Sequence, residues 1–221
     1  MARRLEGITL DNMSALAQPC RSCVFWELDP AAGDTTHAEG AGALEKEAWV
    51  SDTLLEWGTC GQVLFVDEQP AGYVLFAPAA YVPRAAAFAT SPVSPDAVLL
   101  MTARLDPQCR GTGLGRILVQ AVARDIARRG IRAIEAFGNT ATDRGPSGRA
   151  SDEVGCLLPA DYLRAVGFKT VRAHPRTPRL RLDIRSTASW LADVEGAIDR
   201  LLSSWQKPLL SGSSAYSSRE R

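Results

Sequence analysis

One stretch of the chain decides the fold: residues 97–130 read AVLLMTARLDPQCRGTGLGRILVQAVARDIARRG. It opens with a continuous apolar run, Ala97–Leu105, which is typical of a strand buried on both faces. Glycines follow at positions 111, 113 and 115, and apolar residues then recur at helical spacing from Leu114 to Ile126. Gly130 is a helix stop signal. The sequence therefore predicts a buried strand, a glycine loop and a helix in succession.

The glycine loop is suited to binding a phosphate. Glycines allow a ligand to approach the backbone, and the amides and dipole at the start of a helix attract an anion. Arg110 and Arg116 bracket the loop with positive charge. A tight structural turn with solvated arginines is the alternative. We favour the phosphate cradle, because the glycines and arginines coincide at a strand-to-helix turn.

Three common nucleotide-binding patterns do not fit this loop. The P-loop needs Gly-Lys-Ser/Thr, whereas Arg116 and Ile117 follow Gly115. The dinucleotide fingerprint needs a glycine where Arg116 stands. Many nucleotide-dependent methyltransferases carry an acidic residue two positions before the first glycine, where this chain has Cys109. A methyltransferase is therefore kept only as the weaker rival.

The motifs that do fit resemble the GNAT family of N-acetyltransferases. Residues 110–115, RGTGLG, match the family's central Gln/Arg-x-x-Gly-x-Gly/Ala motif, and Asp106 and Pro107 precede it where the family commonly has His/Asp-Pro. Residues 162–168, YLRAVGF, are similar to a later aromatic-x-x-x-x-Gly-Phe signature of the family. The resemblance covers the order of elements from about Val63 to Ile184.

The resemblance implies a mixed α/β fold with a central splayed mixed sheet flanked by helices. The strands that diverge would be Val98–Leu105 and Ile131–Phe137. We expect one domain over residues 1–206, with a C-terminal helix at about 188–205. The Ser-rich residues 207–221 are expected to be a disordered tail.

The resemblance also implies acetyl-CoA as cosubstrate and no metal. The backbone of Ala103 to Leu105 would align the pantetheine arm and the acetyl group, and the amides from Gly111 to Arg116 would bind the pyrophosphate. The implied cofactor-binding residues are Ala103, Leu105, Arg110, Gly111, Thr112, Gly113, Leu114, Gly115, Arg116 and Cys156.

The chain departs from the family at two positions. Leu163 stands where the family often has the tyrosine that protonates the departing thiolate, and Tyr162 comes one residue earlier. One residue is about 100° around a helix, so a core position for Tyr162 is favoured over a role as general acid. Cys156 replaces the family's asparagine beside the cofactor, and a thiol cannot reproduce the donor and acceptor of an amide.

Attack on a thioester requires a neutral amine, so a base must remove a proton. Glu135 is the first candidate because it is the only acid in the apolar strand Ile131–Phe137. A solvent-facing residue or a partner for Arg132 is the alternative. Asp96 and Glu27 are weaker candidates for the base.

Cysteines and basic residues suggest further sites. Cys20 and Cys23 resemble half of a zinc site, but His37 and His174 are isolated, so we expect structural or buried thiols without metal. Six Lys or Arg against one acid between Phe168 and Arg185 could attract the 3′-phosphate of the cofactor. The solvated face of an edge strand is the preferred interpretation.

Outside the motifs, periodicity predicts a strand around residues 7–10, a loop at 29–42 and a hairpin over 62–77. A helix is predicted at 44–57, with Leu44, Ala48, Leu54, Leu55 and two tryptophans as its apolar residues. Trp26, Tyr81 and Phe88 are candidates for the wall of an acceptor pocket.

Composition limits the partners. The chain has 25 Lys and Arg against 25 Asp and Glu, so its net charge is +0, and neither nucleic acid nor a membrane surface is an expected partner. Five cysteines and an N-terminus unlike a secretory signal favour a cytoplasmic protein. The hypothesis is an N-acetyltransferase in which an amine of a small molecule or a protein attacks acetyl-CoA directly in a ternary complex. A homodimer is one option, and a non-catalytic acyl-CoA sensor is the alternative function.

Overall fold

The computed structural model describes residues 2–140 and 156–184, together with Gly196. The strands are Arg3–Gly7 (β1), Gly61–Val66 (β2), Gln69–Pro78 (β3), Ala97–Leu105 (β4), Ala133–Asn139 (β5), Leu158–Pro159 (β6), Lys169–Arg172 (β7) and Arg179–Asp183 (β8). The helices are Pro30–Glu39 (α1), Gly42–Glu56 (α2), Leu114–Arg128 (α3) and Ala160–Ala165 (α4). None of these helices is long and apolar enough to cross a bilayer. The predicted helix at 188–205, apart from Gly196, and the predicted tail at 207–221 lie outside the described residues.

The strands form one mixed sheet in the order β1-β2-β3-β4-β5-β8-β7. β4 and β5 are parallel, and the other neighbours in this order are antiparallel. A parallel pair needs a crossover connection, and α3 supplies it between β4 and β5. The short β6 pairs in parallel with the end of β5. The predicted mixed α/β fold is confirmed.

The two central strands diverge, as the resemblance implied. β4 and β5 pair only where Ala97–Leu99 lie opposite Ala133–Glu135. The pairing of β3 with β4 then shifts register and leaves Met101 as an extra residue on β4. Such a bulge bends its strand. Beyond it, the edge of β4 that faces away from β3 pairs with no described strand.

Both faces of β4 are buried, as its apolar run predicts. Val98 and Leu100 pack on the side that α3 covers, whereas Leu99 and Met101 pack on the other side with Trp26. Full burial of an aliphatic side chain of this size contributes about 1.5–3 kcal/mol. The strand that borders the opening is therefore fixed in the core on both faces.

The predicted hairpin is confirmed, and the first strand is shifted. β2 and β3 join through Asp67 and Glu68, whose φ angles of 47° and 64° are those of a tight hairpin turn. β1 ends at Gly7 rather than running to residue 10. The cause is Asn12, whose side chain accepts from the amide of Thr9 at 2.8 Å and donates to the carbonyl of Gly7 at 2.9 Å.

The prediction of a loop at 29–42 is wrong, because α1 occupies most of it. The Asp29 carboxylate accepts from the amides of Ala31 and Ala32 at 3.0 and 3.1 Å, and Pro30 takes the first helical position. Gly40 ends the helix in the left-handed conformation, with φ 72°. No residue of α1 is buried, so no apolar periodicity revealed it.

α2 lies close to its predicted range, but its buried face was predicted wrongly. Leu44 and Leu55 are 69% and 83% exposed. Lys46 and Thr53 are buried instead. Lys46 can be buried because its ammonium pairs with the equally buried carboxylate of Glu27.

Candidate active site

A cavity of about 640 Å³ opens where β4 and β5 diverge. Thr102–Leu105 form one wall, and Arg110 and Gly115 bring the glycine loop to it. Segment 156–159 with Tyr162 forms another wall, because β6 pairs with the end of β5 where β4 has turned away. The divergence of the strands thus creates a cavity large enough to receive a ligand.

Free backbone amides lie beside this cavity. The amides from Gly111 to Gly115 donate to no described residue, and α3 begins at Leu114 without a side-chain cap. Gly111 and Gly113 have φ angles of 75° and 84°, a conformation that glycine adopts without strain. Unpaired amides at the start of a helix of this length form an anion-binding site. The geometry agrees with the predicted phosphate cradle.

The two arginines of the loop are placed differently. Arg110 is exposed and lines the cavity, where its charge can reach an anion at the loop. The Arg116 guanidinium donates to the carbonyl of Ala165 at 2.9 Å and so connects α3 to α4.

The other predicted cofactor residues divide between the wall and the core. Ala103 and Leu105 line the cavity on the open edge of β4. The Thr112 hydroxyl donates to the carbonyl of Cys109 at 2.6 Å and closes the turn before the loop. Leu114 is buried in the core between the sheet and α3, so only its backbone is available to a ligand.

Tyr162 lies at the cavity wall, whereas its neighbour Leu163 is fully buried. Its hydroxyl donates to the carbonyl of Gly115 at 2.9 Å, and a Cβ at position 115 would lie 2.9 Å from the phenolic oxygen. Burial raises the pKa of Tyr162 to about 12. The phenol is therefore protonated at neutral pH, and its ring packs partly against the core. The packing agrees with the favoured core position, and the role as general acid stays a prediction.

Cys156 also lines the cavity, and its thiol contacts Cys23, with 3.5 Å between the two sulfurs. The indole of Trp26 donates to the carbonyl of Cys156 at 3.3 Å. All five cysteines, including Cys20, are free. Among residues 2–140 and 156–184, no group of three or more His, Cys, Asp or Glu is placed to hold a metal ion.

Glu135 is fully buried, and basic groups surround its carboxylate. Arg179 pairs with one oxygen, and Arg181 donates to the other at 3.2 Å. The amide of Ser94 donates to the first oxygen at 3.1 Å. The alternative interpretation is wrong on both counts, since Glu135 neither faces solvent nor pairs with Arg132. Its role as proton acceptor stays a prediction, and such a role would compete with three donors.

The weaker candidates for the base are ion-paired as well. The Arg181 guanidinium donates to both carboxylate oxygens of Asp96 at 2.9 Å and holds the pKa of that carboxyl below its usual range. Glu27 is buried against Lys46. Each of the three carboxylates named as a candidate base therefore has a cationic partner.

The basic residues near the end of the described chain serve different purposes. β7, at the edge of the described sheet, exposes Lys169 and Arg172, as the edge-strand interpretation predicts. Arg179 and Arg181 instead turn inward to Glu135. His174 accepts from the amide of Thr177 at 3.0 Å, so it stabilises the turn between the strands.

Aromatic residues cluster on the side of the sheet opposite α3. Phe88 stacks on Phe137 at 4.3 Å between ring centroids and on Trp26 at 5.5 Å. Tyr81, the other predicted pocket residue, accepts at its carbonyl from the indole of Trp49 at 2.7 Å. The role of Trp26, Phe88 and Tyr81 in an acceptor pocket stays a prediction.

Sequence reasoning missed several residues of the cavity wall. Ala15, Ala17 and Gln18 reach it from the N-terminal segment, and Tyr73 reaches it from β3. None of them belongs to a recognisable motif. Only the hydrogen-bonded order of the strands could have placed Tyr73 beside β4, and no signal in the sequence indicated the N-terminal segment.

Comparison with known proteins supports the same fold. Solved structures that the chain resembles include the paia N-acetyltransferase from Thermoplasma acidophilum in complex with coenzyme A, at 10% identity and a TM-score of 0.53 over 83% of this chain and 99% of that one. An N-acetyltransferase from Staphylococcus aureus Mu50 matches at 13% identity and a TM-score of 0.51, over 84% and 100% of the two chains. The structure of yncA from Salmonella typhimurium with acetyl-CoA matches at 13% identity and a TM-score of 0.50, over 85% of this chain and 97% of that one.

Sequence comparison identifies the family. No curated protein sequence matches the chain. The sequence model of the acetyltransferase (GNAT) family, however, matches residues 24–147, which is more than half of the chain and includes the glycine loop. The chain therefore belongs to the GNAT acetyltransferase family.

Proposed function

We propose that this protein transfers an acetyl group from acetyl-CoA to an amine by direct attack within a ternary complex. The observation that carries the proposal is the open edge of β4 beside the free amides of the glycine loop, at the mouth of one cavity. Two structures of similar fold contain coenzyme A or acetyl-CoA, which supports an acyl-CoA as the ligand.

The cavity residues fit the parts of such a ligand. The amides of Gly111 to Gly115 would bind the pyrophosphate, and the exposed Arg110 would add positive charge. The backbone of Ala103 to Leu105, along the edge of β4 that faces away from β3, would bind the pantetheine arm in the manner of an added strand. Backbone donors that are already in place cost no reorganisation when charge develops on the thioester oxygen.

Tyr162 is our candidate for the general acid. When the amine attacks the carbonyl carbon and the carbon–sulfur bond breaks, the departing thiolate needs a proton. The phenol stays protonated because burial raises its pKa to about 12, and it lies on the cavity wall. Its hydroxyl donates to the carbonyl of Gly115 at 2.9 Å, so donation to sulfur requires the hydroxyl to rotate away from that carbonyl.

The acceptor must lose a proton, and Glu135 remains the proposed acceptor of that proton. It lies on β5 opposite Leu99, at the last paired position before the strands diverge. Its contacts with Arg179 and Arg181 favour a second role, in which the carboxylate positions these arginines and the amide of Ser94. The two roles make different predictions for Glu135→Gln, which are developed in the Discussion.

The acceptor is proposed to be a small-molecule or protein amine, and the compartment the cytoplasm. Neutral net charge favours neither kind of amine. A reducing compartment agrees with five free cysteines, two of which are in contact. Neither nucleic acid nor a membrane is a proposed partner, and a homodimer remains one option.

A non-catalytic acyl-CoA sensor is the second candidate function. The observation that favours it is the cationic partner of each candidate base, Glu135, Asp96 and Glu27. A sensor needs the cavity and the glycine loop but no proton acceptor.

Release of free CoA thiol separates the two functions. Purified protein is mixed with acetyl-CoA and a panel of small amines and peptides, with reactions lacking amine as the control for hydrolysis. Amine-dependent thiol release, with the acetylated amine identified by mass spectrometry, supports the transferase. Binding of acetyl-CoA without release for any amine supports the sensor, and no binding of CoA contradicts both.

A further inference from the structure

The contact between Cys23 and Cys156 connects the cavity wall to a segment beside the cavity. The two residues are 133 positions apart in sequence, and their sulfurs are 3.5 Å apart. Cys23 follows the N-terminal segment that lines the cavity through Ala17 and Gln18. Cys156 precedes β6 and lines the cavity itself. Both side chains are half-buried, so small reagents can reach them.

The surroundings make the two thiols chemically unequal. The contact with the Cys156 thiol lowers the pKa of Cys23 to about 6, with smaller contributions from the amide of Phe25 and the charge of Lys46, while burial acts in the opposite direction. The same contact raises the pKa of Cys156. These contacts favour the thiolate form at Cys23 over that at Cys156. Thiolates are the nucleophiles in reactions with peroxides and disulfides.

The other three cysteines differ from this pair in burial and surroundings. Cys60 is fully buried, and burial raises the pKa of its thiol to about 12. Cys20 is buried beside Tyr73. Cys109 is half-buried in the turn before the glycine loop. A mild oxidant should therefore react first at Cys23.

We propose that Cys23 and Cys156 form a redox-active pair that a hydroperoxide converts to a disulfide at the cavity wall. The Cys23 thiolate attacks the peroxide, which leaves Cys23 sulfenic acid and, from hydrogen peroxide, hydroxide. The Cys156 thiol then attacks the Cys23 sulfur, the new sulfur–sulfur bond forms, and water leaves. The sulfurs must approach by about 1.5 Å to reach the usual bond length near 2.05 Å. Two equivalents of a thiol reductant restore both cysteines.

The disulfide should act on the cavity, an expectation that rests on the proposed function. Cys156 lines the cavity, so a covalent bond from it to Cys23 would restrict the movement of that wall. We expect oxidation to weaken acetyl-CoA binding by a factor typical of coupled sites, about 5–150-fold.

Peptide mapping of the full chain tests the disulfide without any assay of activity. Wild-type protein is treated with hydrogen peroxide, alkylated and digested without reductant, and a peptide linking Cys23 to Cys156 is the expected product. In Cys156→Ser, a sulfenic-acid trap should label Cys23. In Cys109→Ser, which removes a half-buried thiol outside the pair, the linked peptide should form as in the wild type. A linkage through Cys20, or Cys23 that remains reduced while other cysteines oxidise, would overturn the proposal.

Calorimetry with CoA then separates this inference from the proposed function. Weaker binding by the oxidised protein, restored by dithiothreitol, supports coupling between the disulfide and the cavity. Equal affinity of the oxidised and reduced forms would overturn the coupling. Failure of the reduced protein to bind CoA would contradict the proposed function, and the map of the disulfide would stand.

Discussion

Glu135→Gln separates a structural carboxylate from a catalytic base. Removing one partner of a buried ion pair costs about 3–5 kcal/mol. Glutamine keeps the shape and can still accept hydrogen bonds, and Arg181 retains Asp96 and Asp183, so a loss of about 2–4 kcal/mol is expected. This is a large part of the roughly 5–15 kcal/mol that stabilises a typical domain.

Urea unfolding measures this loss, and Asp96→Asn is the matched control. Both substitutions remove a carboxylate from the same guanidinium of Arg181, but the side chain of Asp96 is 42% exposed, whereas that of Glu135 is fully buried. The exposed pair should contribute only about 0–1 kcal/mol. Turnover is compared at a temperature at which both variants are folded.

The two roles of Glu135 predict opposite patterns. A positioning carboxylate predicts that Glu135→Gln is much less stable than Asp96→Asn and keeps most of its turnover per folded molecule. Equal stability of the two variants, with turnover of Glu135→Gln reduced by about 10²–10⁴, would refute the ion-pair reasoning and identify Glu135 as the base. The structure favours the first pattern, because cations hold both oxygens.

Three further predictions follow from the same contacts. Tyr162→Phe keeps the ring against Gly115 but removes the phenolic proton. Steady-state kinetics should show kcat reduced by about 10²–10⁴, with the KM for acetyl-CoA nearly unchanged. An unchanged kcat would exclude the acid role. Lys46→Met leaves Glu27 buried without a cation and should cost about 3–5 kcal/mol in urea unfolding, most of which the double variant with Glu27→Met should recover. Alkylation of Cys23, followed by mass spectrometry, should rise through pH about 6, and its midpoint should move upward in Cys156→Ala.

The strands and the glycine loop could be predicted from local sequence. β4 is a continuous apolar run, the hairpin has two apolar runs around a polar turn, and α3 has clear helical periodicity. The free amides from Gly111 to Gly115 also follow from local pattern, because a loop that enters a helix leaves its first amides unpaired.

Features that depend on distant partners could not be predicted in this way. Lys46 is buried because Glu27 packs against it from another segment. The sequence pattern alone therefore predicted Leu44 and Leu55 as buried residues, and both are exposed. The partner predicted for Glu135 was its sequence neighbour Arg132, whereas the partners observed lie on β8. α1 was missed for a different reason: its cap at Asp29 and Pro30 is recognisable, but it buries no apolar face.

Binding of CoA to Gly113 variants tests the central claim, that the glycine loop binds the pyrophosphate of an acyl-CoA. Asn and Asp are similar in shape, and both tolerate the positive φ of 84° at position 113. Gly113→Asn therefore measures the effect of the added side chain on CoA binding, and Gly113→Asp differs from it only by a negative charge. Like charges about 4 Å apart repel by about 1–4 kcal/mol, between the values for water and for a protein surface. Calorimetry should therefore show CoA binding to Gly113→Asp roughly 5- to 900-fold more weakly than to Gly113→Asn. Equal affinity of the two folded variants for CoA would contradict the claim.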